Sequence, residues 1–294
     1  MTADDVFIEN RRRLFGIAYR MLGQVGDAED AVQETFIRWT QADQSQIDNP
    51  VGWLTTVLTR ICLDRLKSAQ RQRETYVGPW LPEPLVTDDL DPADIAGTSD
   101  SITLAFLVVL ERLSPAERAV FLLHDVFGYT HAEIASMLER SPAAVRQLAS
   151  RARAHLDDHQ PRYEPDVAQR QAVAEEFMAA TVGGELERLM QVLAPDVTFT
   201  SDGGGVVQAI RHPQQGAERV AGLLRAFASL RTPEHRVRRV EANGMPGFLL
   251  AERGEVHSLW TLHVVGNHIA AIHVVRNPDK LRRLSAAGTR PIEP

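Results

Sequence analysis

Three helix-start signals follow one another closely in the second quarter of the chain. Ser114 and Thr130 each begin a capping box, because a glutamate stands three residues further along in both cases. Ser141 is followed by Pro142, and proline is favoured at the first helical position because no amide donor is lost there. Starts this close together allow only short helices, so we predict a compact all-helical segment over residues 104–158.

The last two of these helices have the pattern of a helix-turn-helix. They are separated by Glu139-Arg140, and apolar residues on both sides, such as Ile134 and Val145, can pack across the turn. A recognition helix needs cations for phosphates and short polar side chains for base edges. The second helix offers such side chains, and they are predicted to contact DNA: Arg146, Gln147, Ser150, Arg151 and Arg153. A three-helix bundle without a DNA role shares this spacing and stays open as an alternative.

Residues 5–75 also show helical patterns. Asp27 is predicted to cap a helix whose inner stripe contains Val32 and Trp39. Asn49-Pro50 is a second start signal, and the helix that follows it should bury a stripe of aliphatic residues.

Charge is unevenly distributed along the chain. The net charge of −7 by itself argues against nucleic acid, but residues 60–75 carry five basic side chains and residues 139–155 carry four arginines. Between these basic segments, residues 76–103 contain six acids, several prolines and no Lys or Arg. We interpret this stretch as an acidic, Pro-rich linker, in which the apolar cluster Trp80-Leu81-Pro82 indicates a docking point.

Several classes of protein are disfavoured. No apolar run approaches the ~20 residues of a membrane span, and the N-terminus has no secretory pattern. The single cysteine, Cys62, excludes an internal disulfide, lies in an apolar run and is predicted to be buried. We therefore expect a cytoplasmic protein with no metal site, no cofactor and no membrane partner.

Over residues 167–283 the sequence pattern is no longer purely helical. Helical patterns near 167–182, 186–193 and 216–229 precede strand-like runs that begin at residues 235, 247, 256 and 268. Gly266-Asn267 between the last two runs indicates a tight hairpin. The prediction is an α+β domain with a curved antiparallel meander, followed by a tail over 284–294.

The first 158 residues resemble the extracytoplasmic-function (ECF) sigma factors of bacterial RNA polymerase. The resemblance rests on three motifs in order: DAEDAVQETFIRW, NPVGWLTTVLTRICLDRLKS, and the helical segment from LERLSPAERAV to RARAHL. It implies a sigma domain over 1–75 for core polymerase and the −10 element, and another over 104–160 for the −35 element. The positions matching the polymerase-docking helix are Asp30, Gln33 and Glu34.

The same resemblance implies a −10 surface on the second motif. Matching residues are Arg60 and Asp64, with Arg65, Lys67, Arg71 and Arg73 as phosphate partners. Asp64 either accepts from a base amino group or orients Arg60 through a helix pair, and we favour the first reading.

The remaining residues resemble the SnoaL-like branch of the cone-shaped, ketosteroid-isomerase-like folds, which one subgroup of ECF sigma factors carries at the C-terminus. Three motifs carry this resemblance and imply a regulatory contact between the linker and the third domain. They are Trp80-Leu81-Pro82-Glu83-Pro84, Asp202-Gly203-Gly204-Gly205 and Asn277-Pro278-Asp279-Lys280-Leu281. Val206 stands where that subgroup has a lysine, so we expect no contact that depends on that cation at this position.

Two further readings remain open. One is a SnoaL-like isomerase or cyclase, or a sensor of an unidentified small ligand, fused to a DNA-binding regulator. In that reading Asp202 is the candidate general base, and His257 and His263 share a strand face opposite to Trp260. The other is a plain helix-turn-helix repressor. A polymerase-docking helix favours a sigma factor, not an enzyme, that binds core polymerase and promoter DNA and is adjusted in cis without a separate anti-sigma factor.

Overall fold

The computed structural model describes residues 3–73, 75–86, 103–157, 166–230 and 232–292. These residues group into two compact units. Of the described residues, the first unit contains 3–73, 75 and 106–157, and the second contains 76–86, 103–105, 166–230 and 232–292. Part of the predicted linker thus clusters with the C-terminal unit, while residues 87–102 lie outside the described part of the chain.

The first unit is all-helical. It contains α1 (Ala3–Leu22), α2 (Val25–Gln41), α3 (Pro50–Arg73), α4 (Leu104–Leu110), α5 (Pro115–Phe121), α6 (His131–Met137) and α7 (Pro142–Asp157), and α4 begins at its boundary. A π-helical turn over Leu122–Val126 extends α5.

Local capping explains most of these helix starts. Both capping boxes form, since Ser114 and Thr130 accept from amides three residues on and the partner glutamates return the bond. The Asn49 side chain accepts from the Gly52 amide at 3.0 Å. The Asp27 prediction is wrong: α2 begins at Val25 and Asp27 lies in its first turn, where the helix dipole still favours a carboxylate.

The helix-turn-helix is confirmed by its core. Ile134, Ala135 and Met137 of α6 pack against Val145, Leu148 and Ala149 of α7 in one buried cluster. Glu139 takes the left-handed conformation in the turn, with φ of 53°. Cys62 is buried, as predicted. No helix within the described ranges combines the length and apolarity needed to cross a bilayer.

The second unit is α+β, as predicted. Its helices are α8 (Val167–Gly183), α9 (Leu186–Val192), α10 (Ala217–Ser229) and α11 (Pro278–Leu281). Its strands are β1 (Leu193–Asp202), β2 (Gln214–Gln215), β3 (His235–Ala242), β4 (Met245–Glu252), β5 (Glu255–Val265), β6 (His268–Val275) and β7 (Arg290–Pro291).

The sheet has the order β2-β1-β6-β5-β4-β3-β7. Strands β3 to β6 form the predicted antiparallel meander, but β1 pairs parallel with β6, so the whole sheet is mixed. One face packs on the helices around Phe177, Phe199, Val220 and Phe248. Because side chains alternate along a strand, this arrangement sends neighbouring β1 residues, such as Ser201 and Asp202, to opposite faces.

Candidate functional site

The exposed face of α7 carries all five predicted DNA-contacting residues, but it divides into two groups. Arg146, Gln147 and Ser150 are exposed. Arg151 instead bonds Glu117 at 2.9 Å and Arg153 bonds Asp125 at 2.6 Å. Glu117 belongs to α5 and Asp125 to its π-helical extension, so these two arginines also bind α7 to the rest of its bundle.

Glu117 forms one of these two ion pairs and has several further partners. Burial by itself would raise its pKa, but hydrogen bonds from Ser114 and the ion pair with Arg151 outweigh burial and lower the pKa below the ordinary value. The carboxylate therefore caps α5 and holds Arg151 with the same negative charge.

The predicted −10 surface on α3 is only partly open. Arg60 donates from Nε to the Met137 carbonyl at 3.0 Å and pairs with Glu139 at 2.9 Å. Asp64 does not orient Arg60, since it is exposed and pairs with Lys67 at 3.1 Å. Arg60 is thus held by the turn that leads into the recognition helix.

Arg65 lies on a different side of α3. It donates to the Asp27 carbonyl at 3.1 Å, and its guanidinium lies 3.5 Å from Glu34 and 3.8 Å from Asp30. It therefore joins α3 to α2 instead of standing open with Lys67. The side chains of Arg71 and Arg73 lie outside the described part of the structure.

The outer face of α2 is polar. Asp30 and Gln33 are exposed, while Glu34 is half-buried and bonds Arg38 at 2.5 Å. On the inner face, Val32 and Trp39 are buried, as predicted. The structure therefore presents the three predicted polymerase-docking residues on one helix, with Glu34 partly neutralised by Arg38 and Arg65.

A buried polar cluster lies in the second unit and joins the three motifs of the linker, the loop and the tail. Asp202 is fully buried, and its carboxylate accepts from the Tyr76 hydroxyl (2.5 Å) and the Leu81 amide (2.9 Å). It also accepts from the Gly204 amide (3.0 Å) and the Lys280 ammonium (2.7 Å). We call Tyr76, Leu81, Asp202, Gly204 and Lys280 the linker clamp.

Aromatic and amide groups surround the clamp. The Lys280 ammonium also donates to the Leu81 carbonyl and lies 4.1 Å from the centroid of the Trp80 ring. Asn277 donates from Nδ2 to the Tyr76 hydroxyl at 3.0 Å. The pKa of Tyr76 is raised, first by burial and then by its bond to Asp202, so the phenol stays protonated and donates.

The rest of the linker motif continues onto the same unit. Pro82, Glu83 and Pro84 are buried, and the Leu85 amide donates to Asn243 at 2.9 Å. Of the tail motif, Leu281 is buried, while Pro278 and Asp279 are exposed. Asp279 N donates to the Asn277 side chain at 3.0 Å, which caps α11.

Positive φ angles and close contacts with neighbouring atoms require glycine in the loop after Asp202. Gly204 and Gly205 have φ of +66° and +72°, and a Cβ on Gly204 would lie 2.6 Å from the Asn277 side chain. A Cβ on Gly203 would lie 2.5 Å from the Val207 carbonyl oxygen. Val206, at the position where the resemblance predicts lysine, is 70% exposed and takes no part in the clamp.

Sequence reasoning missed Tyr76, the first linker residue, which donates to Asp202, and Asn243, which accepts from the Leu85 amide further along the linker. Tyr76 directly follows a basic helix and precedes a Val-Gly pair, and no local pattern distinguishes it from a surface tyrosine. Its partner is 126 residues away.

A cavity of about 460 Å³ lies on the helix side of the same sheet. Asp202 is not in its wall, so the candidate general base of the isomerase reading is wrong: that carboxylate is taken up by the clamp on the opposite face. His257 also departs from expectation. A bulge pairs Leu250 with Ser258 and Ala251 with Val256, which leaves His257 as the extra residue and places it in the cavity wall with Trp260.

Comparisons with known proteins agree with both units. Residues 6–72 match the family described as Sigma-70 region 2, and residues 103–156 match Sigma-70, region 4. The chain is 39% identical to the ECF RNA polymerase sigma factor SigJ of Mycobacterium tuberculosis, over 92% of this chain and 90% of that protein. It is 34% identical to the probable ECF RNA polymerase sigma factor SigI of the same organism, over 94% of both.

The similarity extends to three dimensions. The structure aligns with the crystal structure of Mycobacterium tuberculosis SigJ at a TM-score of 0.78 and 35% identity, covering 95% of this chain and 98% of that one. A likeness that spans the helical segments and the α+β domain at this identity shows common membership and not only a shared fold. The chain therefore belongs to the extracytoplasmic-function (ECF) family of RNA polymerase sigma factors.

Proposed function

We propose that this sigma factor directs core RNA polymerase to its promoters and that its C-terminal domain controls that activity in cis through the linker clamp. The observation that carries the proposal is the buried Asp202–Lys280 pair, which holds the segment after α3 on the C-terminal sheet. A linker that only tethered one domain to another would not need a buried ion pair to hold it in place.

In this proposal three surfaces contact the transcription machinery. The polar face of α2 with Asp30, Gln33 and Glu34 meets core polymerase. The α3 surface around Arg60 and Asp64 contacts the −10 element. The exposed face of α7 reads the −35 element, with Arg146 and Gln147 best placed for bases because neither is bonded to a carboxylate in the described structure.

The bond between Arg60 and the α6–α7 turn supports a resting state for the first unit. The Met137 carbonyl and Glu139 occupy two of the three guanidinium nitrogens of Arg60, and Glu139 neutralises the charge that would attract a DNA phosphate. Engagement of a promoter therefore separates α3 from that turn. Residues 76–103 connect α3 to α4, so the length of linker held by the clamp limits this separation.

The C-terminal domain acts here as a regulator and not as a catalyst. The cavity wall contains two histidines and an arginine but no carboxylate among its described residues. Asp202 cannot serve as a base in that cavity, because four donors occupy its oxygens on the other face of the sheet. Control within one chain also removes the need for a separate anti-sigma factor.

The test is promoter-specific transcription in vitro with purified core polymerase and full-length protein. Tyr76→Phe removes one hydroxyl from the clamp but keeps the aromatic ring, and Arg282→Gln, just after α11, is the matched control because Arg282 is exposed. Control in cis predicts that Tyr76→Phe shifts transcript yield severalfold while Arg282→Gln does not. Equal yields from wild type and Tyr76→Phe would contradict it.

A further inference from the structure

The cavity on the helix side of the C-terminal sheet is mostly apolar but has one polar end. Its walls are formed largely by aromatic and aliphatic side chains, among them Phe177, Phe199, Phe227, Phe248 and Trp260. Three of these rings pack on one another, with centroids about 6 Å apart. A volume of about 460 Å³ suits a compact ligand, on the order of 15–20 non-hydrogen atoms at protein packing density.

The polar end is cationic. Arg276 is half-buried there, and its guanidinium donates to the Gln208 carbonyl at 2.5 Å. The guanidinium has further N–H groups, fixed in direction by its planar geometry, that a ligand could use. His257 lies in the same wall, and its Nε2 is buried without a hydrogen-bond partner within the described part of the chain. Ser201 and Ser258 add hydroxyl groups to the cavity wall. No carboxylate lines the described wall to neutralise the guanidinium.

We propose that this cavity binds a small apolar carboxylic acid, with the carboxylate on Arg276 and His257 and the hydrocarbon part among the aromatic side chains. A guanidinium pairs with a carboxylate through two parallel hydrogen bonds. One buried guanidinium balances one negative charge, which disfavours a phosphate dianion. Burial, followed by the charges of His235 and Arg276, lowers the pKa of His257, so its neutral imidazole can offer an N–H to the same carboxylate. Glu252 lies 3.9 Å from His235, and its charge opposes this lowering of the His257 pKa without outweighing it.

Two pairs of neighbouring residues connect the cavity to the linker clamp, with one residue of each pair on either side. Ser201 lines the cavity while Asp202 is in the clamp, and Arg276 lines the cavity while Asn277 bonds Tyr76. The amides of Arg276 and Asn277 both donate to the Asp202 carbonyl, at 2.7 and 2.9 Å. A carboxylate that draws Arg276 towards the cavity therefore acts on the strand ends that hold the linker. This regulatory consequence rests on the proposed function, whereas the binding site does not.

The test compares acids with their isosteric amides on the full-length protein. Biphenyl-4-carboxylate against biphenyl-4-carboxamide, and decanoate against decanamide, are titrated by calorimetry. We expect at least one acid to bind and its amide to bind about tenfold or more weakly, since the charge-assisted pair is lost. Arg276→Gln should weaken the acid about tenfold, and Arg225→Gln, an exposed arginine on α10, should leave it unchanged.

The acid-against-amide comparison in the wild-type protein decides the proposal even where Arg276→Gln unfolds. Equal affinities of acid and amide, or no binding by either pair, would overturn it. Hydrogen exchange at residues 76–86 reads the coupling separately. If an acid binds but exchange at these residues is unchanged, the binding site stands and its coupling to the linker is refuted. If transcription depends on the clamp but no acid binds, the proposed function stands and the binding site is refuted.

Discussion

Replacing Lys280 by methionine is expected to destabilise the C-terminal unit by about 3–5 kcal/mol, because it leaves a buried carboxylate without its counter-ion. The side chain of Lys280 is 4% exposed and that of Asp202 is 0% exposed, so water cannot replace the lost ammonium without opening the structure. Three neutral donors remain on Asp202, from Tyr76, Leu81 and Gly204, and they bring the expected cost towards the lower end.

Differential scanning calorimetry of the full-length protein measures this loss. A cost of about 3 kcal/mol corresponds to a fall of about 6–12 °C in the Tm of a domain of this size. Hydrogen exchange should rise at the Leu81 amide, because that N–H bonds the destabilised carboxylate. Arg282→Gln is the control and should change stability by less than about 0.5 kcal/mol, as exposed ion pairs contribute little.

The double variant Asp202→Asn with Lys280→Met separates charge from packing. It removes both charges, so it should be more stable than Lys280→Met alone even though it carries one more substitution. A Lys280→Met protein that melts within about 2 °C of wild type, with unchanged exchange at Leu81, would refute the view that this ion pair holds the linker.

Three further predictions concern the loop and the two sigma surfaces. Gly204→Ala should cost about 1–3 kcal/mol in denaturant unfolding, because φ is +66° and the new Cβ meets Asn277, whereas Gly222→Ala has open space and should not destabilise. Arg146→Ala should cost holoenzyme about 1–3 kcal/mol of promoter affinity and relax sequence preference, and an unchanged footprint would place the recognition surface elsewhere. Asp30→Ala combined with Glu34→Ala should weaken core polymerase binding while circular dichroism stays unchanged, and wild-type affinity in a pull-down would remove these residues from the interface.

Local interactions let the sequence predict most of the helix starts. A capping box needs a side chain and an amide three residues apart, so Ser114 and Thr130 reveal it without tertiary information. The prediction that Asp27 caps α2 failed because local sequence distinguishes poorly between helix starts that lie within one turn of each other. Packing of Val25 into the core decides where this helix begins.

The three motifs of the C-terminal resemblance predicted which segments come together, but not which bonds their side chains form. WLPEP, DGGG and NPDKL marked the linker, loop and tail that meet in the structure. Asp202 could be read as a base from its neighbours in sequence, and only the alternation of β1 showed that it faces away from the cavity. A bulge in β5 likewise moved His257 to the face that periodicity had excluded.

The sequence by itself determined the family, the two kinds of fold and the residues at most helix ends, because these depend on motifs and on contacts between near neighbours in the chain. Tertiary structure alone decided the partners of Arg60, Arg65, Asp202 and Lys280. Each of these charges had several partners of opposite sign available along the chain, and a charge pairs with the one that folding brings within a few ångströms and shields from water. That choice depends on how whole elements pack, so no pattern of adjacent residues encodes it.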